Sequence, residues 1–338
     1  LSKLTIALDV MGGDYGPPVT IPAAVLAVQQ CPNLHLILCG DQTQIDAQLR
    51  KAKFTQTDQL EIIHCSQVVT MDEKPASTLR KKPDSSMRRA LELVETGEAD
   101  ACVSAGNTGA LLTNAYYVLK TLAGINRPAL VSALPTFSDR KVFLLDLGAN
   151  VNCDSEILFQ YAVMGSVLAE QVEGMVNPRV ALLNVGEEQI KGNDTVKNAA
   201  QLLSEAPGIN FIGYVEGNDI FSDKADVVVA DGFTGNIALK ACEGFATLVL
   251  NEVKSASAES FFTRLMAKMA LPLLKRIYSR VNPDQYNGAS LLGLRGIVVK
   301  SHGNAQVDAF LYAIRVAMRE VDQQVPNKIK HKLEIVLS

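Results

Sequence analysis

At 338 residues, 48% apolar and 20% charged, the chain is long enough for one large α/β domain or two ordinary ones. A formal net charge of −4 gives no basis for nucleic-acid binding over its whole surface, and no apolar run approaches the ~20 residues of a membrane-spanning helix. Its six cysteines (Cys31, Cys39, Cys65, Cys102, Cys153 and Cys242) form no C-x-x-C pair and mostly sit in apolar patterns, so they read as reduced core residues of a cytoplasmic chain, not as metal ligands or disulfides.

The first predicted strand is Leu4–Leu8, with no secretory-type apolar region before it. It runs into Asp9-Val-Met-Gly-Gly-Asp14, and Pro22 is expected to open a helix carrying Ala23 to Gln30. Two acids around two glycines at a strand's carboxyl end mark either a plain strand end or the ligand edge of an open α/β sheet. A strand (Leu34–Cys39), a helix (Gln42–Lys51) and a third strand (Leu60–Cys65) follow; His35 and His64 fall inside strands and read as structural. Met71 to Ser86 reads as a long polar loop. Its cations Lys74, Arg80, Lys81 and Lys82 suit solvent or an acidic partner. A helix from Ser85 to Thr96, capped by Gly97, leads to the strand Ala99–Val103.

That strand ends in Ser104-Ala-Gly-Asn-Thr-Gly109, before a helix pattern from Ala110 to Lys120. Free N–H groups at a helix start, with Ser104, Asn107 and Thr108 beside them, form either an anion site or a tight turn capped by Asn107 or Thr108. The same kind of junction recurs. Strand Val142–Leu145 ends in Asp146-Leu-Gly-Ala-Asn150, and strand Arg179–Leu183 ends in Asn184-Val-Gly-Glu-Glu188 with Lys191-Gly-Asn193. Strand Ala225–Ala230 ends in Asp231-Gly-Phe-Thr-Gly-Asn236, and strand Ile297–Lys300 ends in Ser301-His-Gly-Asn304. Helices are expected after each, over Ser155–Glu170, Thr195–Leu203, Ile237–Val253 and Ala305–Val321. Further strands are expected over Arg127–Pro135 and Ile209–Val215. Residues 285–296 read as a glycine-rich link and 327–332 as a basic, solvated tail.

Residues 260–280 contain no acid. Phe262, Met266, Met269, Leu273 and Ile277 recur at helical spacing, widened by Phe261, Leu265 and Leu274, with Arg264, Lys268, Lys275, Arg276 and Arg280 as the charged residues. Such a basic amphipathic segment suits packing against the core or a second subunit, and equally a membrane surface. Pro272 is expected to kink it.

The usual P-loop, G-x-G-x-x-G, G-x-S-x-G and H-E-x-x-H signatures are absent. Strand ends rich in Gly, Asn, Ser, Thr and Asp remain, a set suited to an anion or an oxyanion. Taken in order along nearly the whole chain, Asp9–Asp14, Ser104–Ala110, Asp146–Asn150, Asn184–Glu188 with Lys191–Asn193, Asp231–Asn236, Leu291-Leu-Gly293 and Ser301-His-Gly303 resemble the bacterial phosphate acyltransferases.

That resemblance implies transfer of an acyl group from acyl-acyl-carrier-protein to inorganic phosphate, early in phospholipid synthesis, without a cofactor or metal. It implies an α/β fold, a three-layer α/β/α sandwich with a mostly parallel sheet like the isopropylmalate dehydrogenases and phosphotransacetylases. It also implies one acyltransferase domain over 1–338 with a helical protrusion over 254–284, a homodimer, and peripheral attachment to the inner face of the membrane. On this reading Lys191, Asn236 and His302 are the expected catalytic residues. Asp9, Gly12, Gly13, Ser104, Asn107, Thr108, Asp146, Asn150, Asn184, Glu187, Asn193, Asp231 and Gly235 are the expected phosphate or acyl contacts. Phe262, Leu265, Met269, Leu273, Leu274, Lys275 and Arg276 form the expected membrane or partner surface. The Lys74–Lys82 loop and the Arg264–Arg280 segment are both expected docking surfaces for an acidic carrier. Three alternatives stay open: a phosphotransacetylase acting on acyl-CoA, a metal- and NAD-dependent β-decarboxylating dehydrogenase, and a non-enzymatic membrane-surface scaffold.

Overall fold

The structure is a computed structural model that describes residues 3–55, 58–138, 140–258, 260, 266, 268–273, 276 and 287–336. The first half carries β1 (Leu4–Asp9), α1 (Pro17–Gln30), β2 (Leu34–Gly40), α2 (Gln42–Lys51), β3 (Leu60–His64), α3 (Pro75–Lys81), α4 (Ser86–Thr96), β4 (Ala101–Ser104) and α5 (Thr108–Leu119). Next come β5 (Ala129–Pro135), β6 (Lys141–Leu145), α6 (Ser155–Val172), β7 (Arg179–Leu183), α7 (Asp194–Glu205), β8 (Asn210–Val215), β9 (Val227–Val229) and α8 (Gly232–Ala258). The chain closes with β10 (Ala289–Leu292), β11 (Ile297–Lys300), α9 (Val307–Asp322) and α10 (Val325–Val336).

The eleven strands among the described residues join one sheet, in the order β3-β2-β1-β4-β11-β10-β5-β6-β9-β7-β8. Five strands on one side run parallel, as do four on the other. Between them, β10 pairs antiparallel with both β11 and β5, and β5 antiparallel with β6. Three reversals in a row leave the two parallel blocks pointing in opposite directions. Their register is stepped so that Leu8, Val103, Val299, Ser290, Val131, Leu145 and Val229 lie side by side across the sheet. Each parallel block therefore ends within a residue or two of that one row. The polar junctions of both halves meet there.

Residue alternation along the strands divides the core. Ala7, Cys102, Val298, Leu130, Leu144 and Val228 face α4, α5 and the start of α8. On the other face, Leu8, Val103 and Val299 pack under α1 and α9, and Val131, Leu145 and Val227 under α6, α7 and α10. The result is the expected three layers with a mostly parallel sheet.

Several elements differ from expectation, among them α8, which starts at Gly232 and not Ile237 and so takes in most of the Asp231–Asn236 junction. Helix α1 starts at Pro17, because Pro17 and Pro18 occupy its first turn, and Pro22 lies inside it. The lysine-rich loop contains α3, opened by Pro75. The glycine-rich link contains β10, whose Ser290, Leu291 and Leu292 are buried. The basic tail is α10, which buries Val325, Ile329 and Leu333 at a spacing of four against α6. Of the cysteines, Cys39, Cys65 and Cys102 are buried in the core, whereas Cys31, Cys153 and Cys242 are only half-buried.

Glu320, on α9, is fully buried and accepts a hydrogen bond from the Ser290 hydroxyl beneath it. Burial pushes its carboxyl up from the ordinary 4.5 to about 7. The folded state holds this proton more tightly than the unfolded chain does. The associated stability is complete below pH 4.5 and is lost as pH rises through 7. Glu320→Gln, which stays neutral, should gain on the unmodified protein as pH rises from 5 to 8, by up to about 3 kcal/mol in urea unfolding. A gap that does not widen with pH would show that the carboxyl is not held neutral.

Candidate active site

The first-half junctions are tied to one another. Asp9, buried at the end of β1, accepts from the Ser86 and Ser104 hydroxyls at 2.6 Å each. Burial raises its carboxyl above the usual range, and these hydroxyls and the Met11 and Gly12 N–H groups oppose that rise. Ser104 accepts from the Gly106 N–H at 3.0 Å. A Cβ on Gly12 would stand 2.7 Å from both Asp9 Oδ2 and Gly106 N, so these turns touch only because position 12 is glycine. The Asp14 N–H donates to the Gly303 carbonyl, and the Ser301 N–H to the Ser104 carbonyl. The β1, β4 and β11 junctions thus form one rigid wall.

Asp146 organises the opposite wall. It is fully buried at the end of β6. It accepts from the N–H groups of Leu130 (2.9 Å), Ala149 (3.1 Å) and Asn150 (2.7 Å). Burial nevertheless pushes its carboxyl up to about 6. Asn150 spends its amide on the Pro128 carbonyl and the Tyr161 hydroxyl. The start of α8 docks on this loop: the Gly232 N–H donates to the Asn150 carbonyl, and a Cβ on Gly235 would lie 2.1 Å from the Asp146 carbonyl oxygen. Asp231 accepts from the Thr234 N–H and hydroxyl in the first turn of α8.

A cavity of about 1020 Å³ lies between the walls, under α8. Leu130, Ser132 and Leu134 of β5 face into it, because alternate residues of a strand share a face. Most of its lining is apolar, including Leu147, Phe137, Phe221, Leu239, Phe245 and Val249. Its polar lining comprises Thr108, Asn236, Lys240, Glu243, Lys300, Ser301 and His302, together with Ser132 and Thr136. Glu243 holds Lys240 at 2.8 Å, and His302 Nε2 stands 3.8 Å from its other oxygen. The His302 N–H is anchored at 2.8 Å to the buried Asn287 amide oxygen, which fixes the turn before α9.

Of the residues singled out from sequence, Thr108, Asn236 and His302 line this cavity. Asp9, Ser104, Asp146, Asn150 and Asp231 build its walls through the bonds above. Asn107 caps α5 through Ala110, and its amide donates to the Met71 and Glu73 carbonyls, stitching the α3 loop to the site. Asn184 bonds within its own loop, Asn193 caps α7, and Glu187 pairs with Lys224. Lys191 is exposed, and neither it nor Glu187 is among the cavity's lining. Met269, Leu273 and Arg276 are exposed; Phe262, Leu265, Leu274 and Lys275 lie outside the described residues.

Residues 4–328 match the model of a family described as fatty acid synthesis protein. The chain belongs to this family. Among curated relatives, phosphate acyltransferases from Pseudoalteromonas atlantica and Colwellia psychrerythraea are each 58% identical, the first over 100% of this chain and 99% of its own, the second over 98% and 97%. Among solved structures, a phosphotransacetylase from Streptococcus pyogenes superposes with a TM-score of 0.62 at 18% identity, over 95% of this chain and 94% of its own. That likeness establishes the phosphotransacetylase-like fold. Within this family member, Lys240, Glu243 and Lys300 are cavity residues that sequence reasoning passed over. Lys240 and Glu243 lie within the helix expected over Ile237–Val253 and Lys300 ends the strand expected over Ile297–Lys300, and none of the three was singled out. The available signal for Lys300 was its place directly before the Ser301 junction.

The close approach at Gly235 has a measurable consequence. Alanine inside a helix normally gains up to about 1 kcal/mol over glycine. Gly244→Ala, where nothing lies within 4 Å, should show that gain. Gly235→Ala should instead lose about 1–3 kcal/mol in urea unfolding, because the Asp146 loop cannot yield without breaking its hydrogen bonds. Equal effects at the two sites would contradict this docking.

Proposed function

We propose that this protein moves an acyl group from the thioester of an acyl carrier protein to inorganic phosphate, releasing acyl-phosphate for glycerophospholipid synthesis. The cavity carries this reading. Small-molecule pockets run to about 1,000 Å³, and a phosphate ion fills a small part of such a space. An apolar wall with polar groups grouped among the strand ends suits an acyl chain with its reacting carbonyl beside an anion. The phosphate acyltransferases at 58% identity support the same reaction.

The chemistry needs no triad. A phosphate oxygen attacks the thioester carbonyl carbon, the new C–O bond forms, and the carbonyl oxygen becomes an oxyanion. Collapse of that intermediate breaks the C–S bond. The thiolate leaves readily, because an ordinary thiol has a pKa near 8.5, and it then takes a proton. Thr108 and Asn236 donate to phosphate or the oxyanion, and His302 polarises the carbonyl or delivers the proton. Lys191, on an exposed loop, is left outside this assignment. Asp9, Asp146 and Asp231 each accept protein donors on both carboxylate oxygens, an arrangement that suits wall-building more than the metal site of the dehydrogenase alternative.

Release of free thiol from acyl carrier protein, with and without phosphate, tests the reaction directly. Asn236→Ala and His302→Ala should each lower kcat by about 10²–10³-fold, the usual cost of one oxyanion or proton-transfer group. Unchanged rates in both would sink the assignment. Faster turnover of acetyl-CoA than of a long-chain carrier-bound thioester would favour the phosphotransacetylase alternative.

The same reading extends to the surface. Helix α8 exposes Phe245 and Leu248, and beyond it Met266 is 69% and Met269 79% exposed. These apolar side chains, with Lys268 and Arg276 among them, support peripheral membrane contact beside a dimer interface. The basic loop around α3, tied to the site by Asn107, supports carrier docking. A Met269→Glu, Leu273→Glu double variant should lose flotation with anionic liposomes while keeping its thiol-release activity. Undiminished flotation would overturn the membrane assignment.

A further inference from the structure

Lys300 is the last residue of β11, paired in the ladder with Ser104 on one side and Ala289 on the other. It is only 7% exposed and lines the cavity. Its ammonium donates to the Ala105 carbonyl at 3.4 Å and to the Ser301 carbonyl. An ammonium carries three donors, and the third has no acceptor among the described residues. No described carboxylate forms an ion pair with it.

The charged groups that face it come from three elements. Asp9 lies on β1, Asp14 in the turn that follows, and Lys240 on α8 opposes both acids. Asp9 forms no hydrogen bond or ion pair with it, and its two oxygens accept from Ser86 and Ser104 instead. Lysine is almost never buried without a counter-charge, since a buried charge left unpaired is costly. The unfilled space next to this one is the cavity.

Resting on the acyl-transfer reading, we propose that Lys300 binds the phosphate substrate directly and supplies the counter-charge for its dianion, alongside Thr108 and His302. The carbonyls of Ala105 and Ser301 hold the ammonium in place, so it reorganises little when phosphate arrives. Desolvation brings its pKa down to about 8. A neighbouring dianion favours the charged form and relieves that cost.

Steady-state thiol release at varied phosphate and varied acyl donor tests this, together with thermal melts with and without inorganic phosphate. Lys300→Met should raise the KM for phosphate by about 10–100-fold, the span of one charged hydrogen bond. The KM for the acyl donor should stay near that of the unmodified protein. The rise in melting temperature that phosphate produces should disappear. Lys300→Gln keeps an N–H donor for the two carbonyls and should show the same phosphate defect in a chain that folds. An unchanged phosphate KM in either folded variant, or an increase confined to the acyl donor, overturns the proposal. If the unmodified chain makes no acyl-phosphate yet is stabilised by phosphate through Lys300, the acyl-transfer reading falls and the phosphate site stands.

Discussion

The reversal at the middle of the sheet is the constraint on which the site depends. Two parallel blocks ordinarily carry their ligand edges on one side of a sheet. Here β10 and β5 turn the second block over, and the ladder through Ser290, Val131 and Leu145 sets its register. A slip of one residue would place Val131 on the cavity face and Leu130 among the residues under α6. Asp146 guards against that slip, because its carboxylate reaches across to the Leu130 N–H. The junctions therefore face one another because of three antiparallel pairings, not because each is a ligand site by itself.

Buried carboxylates are used in two ways around this framework. Asp9 and Asp146 sit deep in the walls and gather N–H and O–H donors from the loops around them. Glu243 stands at the cavity instead, where it positions Lys240 and faces His302. The division follows from charge. A carboxylate beside bound phosphate would repel it, so Lys240 offsets the charge of Glu243 at the cavity, while Asp9 and Asp146 are held back in the walls.

The parallel strands and their helices were legible in the sequence because short apolar runs ended in Gly, Asn and Asp before amphipathic stretches. Helix α2 and strands β7 and β11 match their expected limits. What escaped was what periodicity does not carry. Helix α3 is one polar piece held by its contact with α5, and β10 is four residues flanked by glycine. The site was legible as a set of turns but not as a division of labour. Asn107 and Asn236 both read as donors at helix starts. Tertiary contact decides that the first binds its neighbouring loop and the second faces the cavity. Lys300 was hidden for the converse reason, since a lysine ending a strand usually points to water.

An apolar cavity joined to a buried cation also answers a difficulty of the reaction itself. Acyl-phosphate is as open to attack by water as the thioester was to attack by phosphate. On the proposed reading, an acyl chain filling the space between β5 and α8 would displace water from the reacting carbonyl. In the drier site, each fixed donor and charge then acts more strongly. The same drying makes an unpaired phosphate dianion expensive to bring in, so its counter-charge has to be there already. A resident carboxylate paired with Lys300 would cancel that charge and have to be displaced at every turnover. Two carbonyl oxygens hold the ammonium in position without neutralising it, and on the proposed reading phosphate is the group that completes the pair.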